Sequence, residues 1–178
     1  MISLPFALGL FVFLFAIIGA MRGWAKEMLV TFSVILALFI ITVTERYVPF
    51  VRESLSQPGT SSQFWTRSLI LMVLVYFGYQ TPRLQLIPMT KFIREKMRDS
   101  ILGLILGGIN GYLIVGTIWY YLNEAHYPFP QVIAPVMGDP VGDFALKLLT
   151  YMPPRLMGVP MVYFSIALGF VMIIIIFV

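Results

Sequence analysis

This chain has few side chains with which to do chemistry. Its 178 residues include twelve Lys and Arg, eight Asp and Glu, one histidine (His126) and no cysteine. The missing cysteines remove disulfides, thiolate catalysis and cysteine-bound zinc. A single histidine excludes a histidine-rich metal site or a bis-histidine haem within the chain. GxSxG, HExxH, Walker and Rossmann patterns are all absent. His126 follows an apolar run beside Glu124 and Tyr127, where it reads as a polar tip among headgroups. Lys26 and Glu27 stand at the edge of another run and read as a local ion pair or a headgroup contact. No catalytic residue, metal ligand or cofactor emerges from these residues, and the reading is of a protein that is not an enzyme.

The elements that position these groups are apolar blocks separated by short polar stretches. With 60% hydrophobic and 11% charged residues, the composition is that of a membrane protein. The first span covers about Leu4 to Ala20. No basic residue precedes it, and Arg22 and Lys26 follow it, so it reads as a retained helix rather than a cleaved signal. A polar turn, Met21 to Glu27, leads to a second span from about Met28 to Thr44. Its hydroxyls, Thr31, Ser33, Thr42 and Thr44, are expected to bond back to carbonyls of their own helix. A loop from Glu45 to Gln63 precedes a third span, Phe64 to Thr81, which Pro82 stops. Trp65, Tyr76 and Tyr79 suit an interfacial aromatic belt.

The packing hub is the stretch from Asp99 to Leu122. Gly103, Gly107 and Gly111 recur every four residues and share one helix face, which lets another backbone approach closely. Asn110 stands beside that face, and hydrocarbon offers its amide no partner, so it is expected to point at another helix or at water. Two shorter segments read as amphipathic helices at the membrane surface. One lies in Arg83 to Asp99, with Lys91, Arg94, Lys96 and Arg98 turned to lipid headgroups. The other follows Asp139 as N-cap and Pro140 as first residue, places Val141, Phe144, Ala145, Leu148 and Leu149 on one face, and ends at Pro153. A fifth span runs from Met161 to Val178.

The reading is therefore an all-α integral membrane protein with about five transmembrane helices and two interfacial ones. It divides into a four-helix core (1–122), a Pro-rich segment (123–160) and the last helix (161–178). Basic residues set the orientation. Arg22, Lys26, Arg83, Lys91, Arg94, Lys96 and Arg98 mark one side; Arg46, Arg52 and Arg67, assigned to the connection after the second span, and Lys147 and Arg155 mark the other. The denser first set is expected in the cytoplasm, with the N-terminus outside and the C-terminus inside. The spans are expected to carry no charge, which argues against a transporter or pump.

Two motifs carry a family resemblance. Arg22-Gly23-Trp24-Ala25-Lys26-Glu27 follows the first span. Asp99-Ser100-Ile101-Leu102-Gly103 continues through Gly107 to Asn110-Gly111-Tyr112-Leu113-Ile114-Val115. In order and spacing the pair resembles the turn and the glycine helix of the colicin V production protein (CvpA) family, over about residues 4–122. Asn110 departs from that pattern, which has arginine there. The resemblance implies a four-helix core in a bacterial cytoplasmic (inner) membrane and a supporting role in secretion or envelope homeostasis. An accessory subunit of a large photosynthetic or respiratory complex, touching neighbouring helices, lipid, quinone or pigment, is the alternative. The expected partners are membrane lipid and other membrane subunits or further copies of the chain, without nucleic acid.

Overall fold

A computed structural model describes residues 3–55, 57–80, 93–129, 132 and 134–177. Among these described residues seven α-helices follow one another: α1 (Leu4–Arg22), α2 (Trp24–Tyr47), α3 (Ser61–Tyr79), α4 (Ile93–Glu124), α5 (Pro140–Leu149), α6 (Pro153–Leu156) and α7 (Met161–Phe177). A π-helical turn, Val51–Leu55, lies between α2 and α3, and no strand occurs among the described residues. Helices α1, α2 and the Lys96–Glu124 part of α4 are long and apolar enough to cross a membrane. The 19-residue α3 opens with Gln63, Arg67 and Ser68, which make its first half more polar. The 17-residue α7 is apolar throughout.

Helix α4 stands at the centre and packs on α1, α2, α3 and α6. Its glycine face is turned to α1. A Cβ at Gly107 would sit 2.8 Å from the Gly19 Cα, and one at Gly111 would sit 3.0 Å from the Val12 Cα, so the backbones of α1 and α4 are in contact. Above this contact, Val30, Val34 and Ala37 of α2 meet Leu71 and Val75 of α3 and Leu113 and Ile114 of α4 in a fully apolar layer. Helix α7 lies along α2, with Phe170 edge-on to Phe32 at 5.0 Å and Tyr163 edge-on to Phe39 at 5.9 Å.

Two expectations change. Residues Ile93–Arg98 are not a separate surface helix but the first turns of the 32-residue α4. Helical hydrogen bonding simply runs on through them, with no proline or glycine to stop it. Lys91, and the residues from Arg83 to it, lie outside the described residues, as does the side chain of Arg94. Helix α5 starts as expected, the Asp139 carboxylate accepting the Gly142 N–H at 3.0 Å. Its apolar face is nevertheless only partly covered. Ala145 and Leu149 are buried with Leu8 of α1 and Trp119 of α4, while Val141 and Phe144 stay exposed. The chain then brings Met152 and Pro153 against Gly116, about 12 Å along α4 from Glu124.

Candidate functional site

The polar groups of the first turn motif and of the hub helix converge around the α1–α2 join and reach the middle of α4. Gly23 joins α1 to α2 at φ 87°, ψ 159°, a conformation essentially reserved for glycine. The sharp join places Arg22, in the last turn of α1, beside Glu27, in the first turn of α2. Each charge then suits the dipole of the helix end it occupies. Arg22 Nη1 donates to Glu27 Oε1 at 2.6 Å. Arg22 Nη2 donates to the Tyr79 carbonyl of α3 at 3.2 Å, and the guanidinium covers the Tyr79 ring at 4.3 Å.

Glu27 is fully buried, with none of its surface exposed. Its second carboxylate oxygen accepts a hydrogen bond from Asn110 Nδ2 at 2.8 Å, and the same amide reaches the Glu27 carbonyl at 2.9 Å. The Thr31 hydroxyl donates to Asn110 Oδ1 at 2.7 Å. Asn110 is thus matched on both its donors and its acceptor by α2, and it is itself wholly buried. It occupies the midpoint of the Lys96–Glu124 stretch, about 21 Å from either end. A few turns away the Trp24 N–H donates to Asp99 Oδ1 at 3.1 Å, capping α2 from α4. The cluster pairs its two opposite charges and ties α1, α2, α3 and α4 together.

Apart from Lys91 and the side chain of Arg94, the residues singled out from the sequence as site residues now have a place. Gly103, Gly107 and Gly111 lie against α1, and Asn110 faces α2. Arg22, Gly23 and Glu27 form the join, while Lys26 is half-buried and has no ion pair among the described residues. Lys96 and Arg98 are exposed at the start of α4. Ser33, Thr42 and Thr44 bond back to Leu29, Leu38 and Ile40 as expected, whereas Thr31 also serves Asn110. His126 is exposed in the turn after α4.

Charge inside the helices is the main correction. Glu27 makes a local ion pair, with Arg22, but it faces the protein interior rather than headgroups, because α2 begins at Trp24 and folds its first turn onto α4. Arg67 is not in a loop but within α3. Its Nε and Nη2 donate to the two carboxylate oxygens of Glu45 at 2.6 and 2.9 Å, its Nη1 donates to Glu124, and its guanidinium lies 5.2 Å from the Tyr121 ring centre. This second cluster joins α2, α3 and α4 at the opposite end of the bundle. The signal was a basic residue one turn inside a helix start, four residues after Gln63.

These contacts bring together the two sequence motifs on which the family resemblance rests. The family model for colicin V production protein matches residues 4–138. The chain belongs to the colicin V production protein family. No curated protein and no solved structure matches it. The family match holds both motifs, all of α1 to α4 and the turn beyond, and ends just before α5. Asn110 supplies a neutral amide to Glu27, the one buried carboxylate among the described residues. An arginine there would have set a second cation beside Arg22.

Proposed function

We propose that this chain is a non-catalytic, multi-pass protein of a bacterial cytoplasmic membrane that supports secretion or envelope homeostasis. It would cross the membrane five times, α3 and α7 joining the three helices that are long and apolar enough to span. Family membership and the apolar helices support the membrane role. One observation favours a structural over a reactive role: both carboxylate oxygens of buried Glu27 are already bonded to other parts of the bundle. A group so occupied holds helices together and is not poised to meet a substrate.

The test is deletion in the native bacterium, with complementation by the wild-type chain and by Glu27→Ala. Release of a periplasmic reporter and entry of an impermeant dye are the readouts. Leakage restored to normal by the wild type but not by the variant is expected. Unchanged envelope and secretion in the deletion strain would sink the proposal. An accessory-subunit role is favoured by α1, in which only Leu8 and Gly19 are buried while Phe6, Phe13 and Met21 face outward. Co-migration with a large complex after mild-detergent extraction would support it; migration alone or as a small homo-oligomer would return the reading to a free-standing protein.

A further inference from the structure

We propose that the groove beside the first turns of α4 binds an anionic phospholipid. The groove has a volume of about 470 Å³ and is lined by Lys96, Met97, Ser100 and Ile101. Lys96 and Ser100 form one row, a helical turn apart, and Met97 and Ile101 form the row beside it. The apolar row continues through Ile105 and Ile109, and all four of its side chains are exposed. This face lies opposite Gly103 and Gly107, which are spent on α1, so no helix among the described residues claims it.

Charge selects the occupant. Lys96 and Arg98 are both exposed, and neither forms an ion pair among the described residues. Of the two acids flanking this pair, Asp99 is turned away to cap Trp24, and the side chain of Glu95 lies outside the described residues. The lysine ammonium and the serine hydroxyl present donors to a phosphodiester, and Arg98 adds a second positive charge within screening distance. From Met97 to Ile109 the apolar row runs about 18 Å along the helix, a bed for an acyl chain. A free phosphate would use the cations and leave that row without a partner. A lipid uses both.

The experiment takes the purified full-length chain in mild detergent with equal amounts of phosphatidylglycerol and phosphatidylcholine of identical acyl chains. Native mass spectrometry counts the lipid retained. The wild type is expected to retain phosphatidylglycerol over phosphatidylcholine by on the order of tenfold, as two cations near a headgroup allow. Lys96→Gln/Arg98→Gln should remove the preference, and Lys26→Gln, at the same end of the bundle, should keep it. Thermal unfolding in phosphatidylcholine checks that both variants are folded. Equal retention of the two lipids by the wild type, or a preference that survives the double substitution, overturns the proposal. Displacement of the lipid by millimolar glycerol phosphate would overturn it too, because the site would then recognise phosphate alone.

Discussion

Glu27 decides how the residues of the cluster should respond to substitution. A buried carboxylate is costly alone, but here Arg22 neutralises it and Asn110 fills its remaining oxygen. Removing one member is therefore worse than removing the pair. Glu27→Ala leaves a guanidinium and an amide facing apolar surroundings, and should lower stability by about 3–5 kcal/mol in detergent unfolding. The double change Arg22→Met/Glu27→Met should recover most of that loss; a double variant as unstable as Glu27→Ala would show that the carboxylate matters beyond its charge balance. Asn110→Ala deletes three hydrogen bonds to α2 but leaves the Arg22–Glu27 pair in place, so a smaller loss of about 1–2 kcal/mol is expected. From the sequence, the need of Asn110 for a partner was legible, because hydrocarbon offers none. Its partner was not, because a carboxylate three residues into a helix looks the same in sequence as one at a membrane edge.

Between elements, the decisive contact is backbone on backbone. Gly107→Leu must push α1 from α4, since the first carbon of the new side chain would already meet the Gly19 Cα at 2.8 Å. A loss of about 1–3 kcal/mol is expected in the same unfolding assay. Gly9, on the same helix as Gly19, has nothing within 4 Å of an added Cβ. Gly9→Ala should therefore stabilise α1, by roughly 0.5–1 kcal/mol. If both substitutions behave alike, the close approach of α1 and α4 is not what holds them. The four-residue glycine period makes this face readable from the sequence alone, since few other arrangements explain it. The charge of α3 was hidden by the same logic: one Arg67 among apolar neighbours barely alters an averaged hydropathy, and counting it for orientation moved it into a loop. Helix α5 was found from its cap and its prolines, but which of its faces would be covered depended on Leu8 and Trp119, far away in sequence.

For the whole molecule, the two polar clusters lie on either side of an apolar layer, which fixes the relative direction of all four core helices. Orientation in the membrane then follows from a single measurement, and the chain's lack of cysteine makes it clean. Met21→Cys and Gln57→Cys place single thiols at exposed positions of the two ends. In intact cells an impermeant maleimide is expected to label Gln57→Cys, and to label Met21→Cys only after permeabilisation. The reverse pattern would invert the orientation that the basic residues suggest.

The sharp join at Gly23 also bears on how the chain enters a bilayer during synthesis. Arg22 and Glu27 are five residues apart and emerge from the ribosome together, whereas Asn110 emerges 83 residues after Glu27. A lone arginine or acid in a departing helix would cost roughly 2.5–3.5 kcal/mol at insertion. Because the pair forms within the α1–α2 hairpin itself, the hairpin can partition into lipid as a neutral unit. It then carries a carboxylate oxygen that stays open until α4 arrives to close it.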